Sequence, residues 1–242
     1  MGAHFDKGQA PLTSLTNTTA YPFGPADLVI FDFDGVIADS EVISLSSLQV
    51  ALNDFGVNLD LSEMQHRFLG KSINQIEAEA HTLNPNAKWK GFHTHWHAIL
   101  FKRFETELAP IPGVSDLLDR LEALHLPYCI ASGGSLERIS FALEVMGLTS
   151  RFCHFFSSEQ VERGKPAPDL FLYAAKTLGA ESERCVVIED SPFGIQAGRS
   201  AGMQTIGFLG GAHLQNLQET HRQLLLAQGA HGIVRELREI YF

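Results

Sequence analysis

Short unbroken apolar runs alternate along this chain with segments whose apolar residues recur every three or four positions. The first run, Leu28-Val29-Ile30-Phe31, stops abruptly at Asp32. Similar runs are Tyr128-Cys129-Ile130-Ala131, His154-Phe155-Phe156, Cys185-Val186-Val187-Ile188 and Thr205-Ile206-Gly207-Phe208, with Gly232-Ile233-Val234 a weaker one. Runs of this length suit strands covered on both faces, as in a parallel sheet. Helical spacing fills the gaps. Ser135 caps a predicted helix through Leu136, Ile139, Leu143 and Met146 that stops at Gly147. Pro168 opens another that ends at Gly179, and Pro192 a third that ends at Gly202. Alternating strands and helices predict an α/β fold with a parallel sheet and helices on both faces.

One stretch breaks the alternation. From Ser40 to Leu108 the pattern is helical throughout, punctuated by Gly56, Gly70 and Asn84-Pro85-Asn86. It predicts a helical domain inserted between the first two strands. The expected layout is a loose tail over 1–25, a core made of 26–39 and 109–242, and the insertion over 40–108.

Composition narrows the class. Seventeen Phe in 242 residues, with 45% apolar content, are enough for a packed core. The net charge of −10 excludes a protein held to nucleic acid by general electrostatics. No apolar run is long enough for a membrane span. Cys129, Cys153 and Cys185 are odd in number and far apart, so no disulfide framework is expected. With no leader pattern at the start, a cytoplasmic protein is expected, monomeric or a small homo-oligomer.

In wound parallel sheets, ligands bind beyond the carboxyl ends of the strands. The residues that follow the runs therefore matter most. They are Asp32-Phe33-Asp34-Gly35, then Ser132-Gly133-Gly134, then Gly164-Lys165-Pro166 downstream of the third run, then Glu189-Asp190. Four carboxylates in one cleft repel each other and call for a cation. All-oxygen donors favour a hard ion, and Mg²⁺ with retained waters suits an anionic substrate. Lys165 adds a fixed positive charge. Ser132 and the amide groups after it, Gly133 included, suit phosphate oxygens at a helix start. A carboxylate can attack phosphorus, and a second acid can protonate the leaving oxygen.

The segments Asp32-Phe33-Asp34-Gly35-Val36, Ser132, Lys165 and Glu189-Asp190 together resemble the motif set of the haloacid dehalogenase superfamily, over about residues 27–234. The resemblance implies a Rossmann-like core with an inserted α-helical cap domain. It implies a Mg²⁺-dependent phosphatase acting on a small phosphorylated metabolite, with no nucleic-acid or membrane partner. Asp32 would be the nucleophile and Asp34 the general acid and base. Ser132, Gly133 and Lys165 would bind phosphate. Asp32, Glu189 and Asp190, with the Asp34 main-chain carbonyl, would hold the metal. The insertion resembles the cap of the subgroup that includes β-phosphoglucomutase and small-metabolite phosphatases. Its Ser44, Lys71, Ser72 and Asn74 are the expected specificity residues.

Two other readings stay open at this level. One is a phosphosugar mutase, although its expected His and Arg read Ser44 and Ile73 here. The other is a phosphate-binding protein without turnover. Gly70-Lys71-Ser72 mimics the end of a P-loop, but the earlier glycine is Gln65. His93 and His97 share a helical face without a third zinc ligand in the pattern. Trp89, Phe92 and Trp96 are expected to fill the core of the insertion.

Overall fold

The computed structural model describes residues 21–22, 25–68 and 73–242. The chain begins there with β1 (Tyr21–Pro22) and β2 (Leu28–Phe31), followed by α1 (Glu41–Asp54), α2 (Leu61–Phe68), α3 (Ile73–Leu83) and α4 (Phe92–Glu107). Next come α5 (Val114–Ala123), β3 (Tyr128–Ser132), α6 (Leu136–Val145), β4 (Phe155–Ser157), α7 (Asp169–Leu178), β5 (Cys185–Glu189) and α8 (Pro192–Ser200). The chain closes with β6 (Gln204–Phe208), α9 (Gln218–Ala227), β7 (Gly232–Val234) and β8 (Ile240–Tyr241). Six strands form one sheet in the order β4-β3-β2-β5-β6-β7, and every pairing in it is parallel. The expected tail over 1–25 falls mostly outside the described residues. Its Tyr21–Pro22 pairs with β8 instead of hanging free, a contact no local pattern announces.

Side chains alternate across a strand, so a sheet covered on both faces feeds two cores. Val29 and Phe31 face one cluster with Ile130, Val186, Ile188 and the α5 and α6 residues Leu117, Leu121, Ile139 and Leu143. Leu28 and Ile30 face the other, with Cys129, Val187 and the α7 and α8 residues Leu170, Phe171, Ala174 and Ala197. This is the expected α/β core. The helix signals hold as well. The Ser135 side chain accepts from the Arg138 N–H, and α7 stops at Gly179, whose φ of 71° suits glycine.

Helices α1 to α4 have a third cluster of their own, including Leu48, Leu52, Met64, Phe68, Phe92 and Trp96. Trp89 stacks on Phe55 beside it, with ring centroids 5.5 Å apart. The aromatic residues thus pack the helical block, as expected. Its inner end belongs to the sheet-side core, because Ile43, Leu100 and Phe104 join that cluster. The segments that enter and leave the block bind each other. Asp39 N–H donates to the Ala109 carbonyl at 3.0 Å and Ile111 N–H to that of Ile37 at 2.8 Å. His93 and His97 do share a face, with ring centroids 3.9 Å apart. Burial, with the nearby His93 and Arg138, lowers His97 to about 4. Among the described residues neither belongs to a cluster of three metal-type ligands.

The ring of Phe31 is fully buried and meets Tyr128 and Phe152 edge-on, with centroids 6.3 and 6.4 Å away. Phe31→Ala is expected to cost about 3–5 kcal/mol. Leu226→Ala, at a position 40% exposed, should stay within about 0.5 kcal/mol. Urea unfolding of both variants checks this; equal losses would mean that β2 is not the packed centre of the sheet.

Candidate active site

Sheet register brings the polar residues together. Phe31 pairs with Ile188 on one side and Ile130 on the other, so the chain beyond β2 lies between the ends of β5 and β3. Asp32 N–H donates to the Ile188 carbonyl at 2.9 Å. Asp32, Glu189 and Asp190 are all buried, and one oxygen from each lies within 4.8 Å of the others. Burial pushes Asp32 well above the usual carboxylate range. Lys165 opposes that shift, and the charges of Glu189, Asp190 and Asp34 add to it. Glu189 is raised by burial too, with Lys165 opposing and Asp190 adding.

Lys165 is the counter-charge. Its Nζ donates to Asp32 Oδ1 at 2.6 Å, Glu189 Oε1 at 2.7 Å and the Ala131 carbonyl at 3.0 Å, which uses all three of its protons. Burial alone would lower the lysine, but the two carboxylates outweigh it and raise it. Ser191 N–H donates to Glu189 Oε2 at 2.6 Å. Gly194 makes room for this carboxylate, since a Cβ there would stand 1.6 Å from Glu189 Oε1. One lysine among three buried carboxylates leaves excess negative charge around all-oxygen donors. A hard divalent cation would neutralise it, so these residues fit Mg²⁺.

Asp34 lies beside this cluster, in a turn closed by the bond from Gly35 N–H to the Ala38 carbonyl at 2.8 Å. Its Oδ1 accepts from Ser40 Oγ at 2.5 Å and from Arg138 Nη2 at 2.6 Å. Its Oδ2 faces the loop after β3, because a Cβ on Gly134 would be 3.7 Å from it. In that loop Gly134 N–H donates to Ser132 Oγ at 3.0 Å, and Ser158 Oγ donates to the Gly133 carbonyl at 2.8 Å. Gly35 has φ of 77°, and a Cβ there would lie 1.9 Å from Asp190 Oδ2.

The structure therefore gathers Asp32, Asp34, Ser132, Gly133, Lys165, Glu189 and Asp190 at the strand ends. Ser44 reaches the edge of this group, where its Oγ accepts from Arg138 Nη2 at 2.9 Å. Lys71 and Ser72 lie outside the described residues, as does the side chain of Asn74. Four neighbours have no signal in the apolar pattern. Arg138, three residues past the Ser135 cap, ties Asp34 to α1, and its Nε is buried without a partner. Glu41 opens α1. Part of its surface reaches solvent, yet burial by surrounding atoms, with the Asp34 and Asp190 charges, raises it to about 7 against the pull of His213 and Arg138. His213 and His221 both bind Asp190. The nearest sequence feature to His213 is the pair Gly210-Gly211, which by itself marks only a turn.

A covered parallel sheet with a polar centre at its carboxyl edge is the architecture of an α/β enzyme. Residues 29–208 match the haloacid dehalogenase-like hydrolase family, and the chain belongs to it as a hydrolase. It is 31% identical to a 6-phosphogluconate phosphatase of Escherichia coli K12 over 77% of this chain and 84% of that protein. It is 30% identical to the fructose-1-phosphate phosphatase YqaB of the same organism, over 74% of this chain and 94% of that one. A family hydrolase from Deinococcus radiodurans R1, solved with bound phosphate and sodium, superposes with a TM-score of 0.70 at 32% identity, covering 89% and 93% of the two chains.

The electrostatics predict a pH-dependent penalty. Carboxyls raised by folding cost stability above their unfolded range near 4 and return it as pH falls. Lys165 offsets that cost at neutral pH. Lys165→Met should therefore lose on the order of 3–5 kcal/mol at pH 8 in EDTA and clearly less at pH 5. Denaturant midpoints at the two pH values decide; an equal loss at both would refute the pairing.

Proposed function

We propose that the protein is a Mg²⁺-dependent phosphatase of small sugar or polyol phosphate monoesters, working through an aspartyl-phosphate at Asp32. The observation that carries this reading is the meeting of Asp32, Glu189, Asp190 and Lys165 at adjacent strand ends, with Asp34 Oδ2 facing the Ser132–Gly134 loop. The two Escherichia coli relatives, phosphatases of sugar phosphates by name, support the substrate class.

The residues divide the work as follows. Ser132 and the Gly133 amide donate to the phosphate oxygens, and Lys165 turns one N–H from its present acceptors to the phosphate, which together orient phosphorus in line with Asp32. Asp32 uses one oxygen to form the bond to phosphorus as the ester bond breaks. Lys165 holds its Oδ1. Asp34 gives a proton to the leaving alkoxide through Oδ2, since Ser40 and Arg138 hold Oδ1. Asp34 then takes a proton from the water that attacks phosphorus, which restores the Asp32 carboxylate and frees phosphate. Asp32, Glu189, Asp190 and the Asp34 carbonyl would hold Mg²⁺, which supplies charge neutralisation for the phosphoryl oxygens.

The helical block over 40–108 acts as a cap on the core of 26–39 and 109–242, with the hydrogen-bonded segments at Asp39–Ala109 and Ile37–Ile111 as its base. Closure would exclude bulk water and select the leaving group. Ser44, Lys71, Ser72 and Asn74 are the cap residues assigned to that selection. No helix among the described residues is long and apolar enough to cross a membrane, and all three cysteines are free; a cytoplasmic site of action fits both.

A panel of sugar, polyol and acyl phosphates tests the reading, with phosphate release followed in Mg²⁺ and in EDTA. Release is expected with Mg²⁺ only, and Asp32→Asn should lower kcat at least about a thousandfold with the fold intact. Substantial turnover by pure Asp32→Asn protein would remove Asp32 as the nucleophile. Conversion of one sugar phosphate to an isomer without phosphate release would replace hydrolysis by the mutase reading.

A further inference from the structure

Asp190 is held differently from the other two acidic residues of the cluster. Asp32 and Glu189 share Lys165, but no lysine or arginine among the described residues touches Asp190. It is held by two histidines from separate elements. His213, on the short turn Ala212–Leu214, places Nε2 3.1 Å from Asp190 Oδ2, and both side chains are under a tenth exposed, at 6% and 7%. His221, on α9, donates from Nε2 to the Asp190 main-chain carbonyl at 2.5 Å. A carbonyl only accepts, so His221 carries its proton on Nε2.

The surroundings are built around this contact. A Cβ on Gly35 would meet both Asp190 Oδ2 and His213 Cε1, at 1.9 and 2.9 Å. A Cβ on Gly211 would stand 2.7 Å from His213 Cε1. Ala212 N–H donates to Asp39 Oδ1 at 3.1 Å, which ties the histidine's turn to the segment just before α1. Nδ1 of His213 is buried without a partner, so among the described residues the ring's polar contact is the one from Nε2 to Asp190.

Resting on the metal reading above, we propose that His213 is a positioning residue for Asp190. It occupies Oδ2 and leaves Oδ1 as the single ligating oxygen, while His221 fixes the backbone beneath. Mg²⁺ demands near-ideal octahedral geometry at short distance. A carboxylate on a loop after a strand is free to rotate, and every rotamer frozen on binding weakens affinity. A close contact with a buried histidine removes that freedom in advance, and such outer partners are worth about 10–100-fold in metal affinity.

The test is calorimetric titration of the full chain, stripped with chelator, with Mg²⁺ alone. It needs two variants that differ only in reach. The amide nitrogen of Gln falls near the position of Nε2, and that of Asn near Nδ1. His213→Asn should bind Mg²⁺ about 10–100-fold more weakly, while His213→Gln stays close to the parent protein. Melting temperatures confirm that both are folded. Unchanged affinity in His213→Asn overturns the inference, as does an equal loss in both variants, which would mark a packing role. Asp190→Ala separates the layers. If it abolishes binding while His213→Asn does not weaken it, only the role of His213 fails. If Asp190→Ala binds Mg²⁺ as before, the metal site itself is misplaced and the inference falls with it.

Discussion

Three buried carboxylates, two of them paired with one lysine, form the constraint on which the rest of this structure depends. Asp32, Glu189 and Asp190 are brought together by strand register, and nothing in their own chemistry favours the meeting. Burial and mutual repulsion raise Asp32 and Glu189. Lys165 compensates only part of that charge. A core of apolar contacts on both faces of the sheet offsets what the polar edge costs.

Close approach to that cluster is possible only where side chains are missing. Gly194 lets α8 start against the Glu189 carboxylate, and Gly35 lets the turn after β2 lie on Asp190. These glycines serve opposite needs. At Gly35 both the positive φ and the lack of space exclude a side chain; at Gly194 space alone does so. The carboxylates are thus packed as tightly as core residues, and rigid placement is what a site for a small hard ion needs.

The helical block is joined to this centre by charge as well as by packing. Arg138 of α6 binds Asp34 on the core side and Ser44 of α1 on the other, with its guanidinium over the Phe104 ring of α4 at 5.7 Å. Glu41, at the start of α1, feels Asp34, Asp190, His213 and Arg138 at once. Any movement of the block therefore acts on the same groups that perform the chemistry under the proposed mechanism.

Much of this was legible in the chain itself. Each apolar run became a strand, and Ser135, Gly179 and Gly202 bounded helices as their conformational preferences dictate. The helical stretch from Ser40 to Leu108 stayed free of strands among its described residues. The strand-end residues were visible because an apolar run that stops at a carboxylate marks where a buried strand meets a polar edge. Arg138, Glu41, His213 and His221 were invisible for the converse reason. Each sits on a helix or turn where a charged or polar residue is ordinary, and only packing turns it toward the site. The pairing of Tyr21–Pro22 with β8 joins distant parts of the chain and leaves no local trace. Local sequence determined which elements form and which residues end them, because periodicity and capping act over a few positions. Tertiary structure decided which of those residues meet and what holds Asp190 and Asp34, because register and helix docking act across the whole chain.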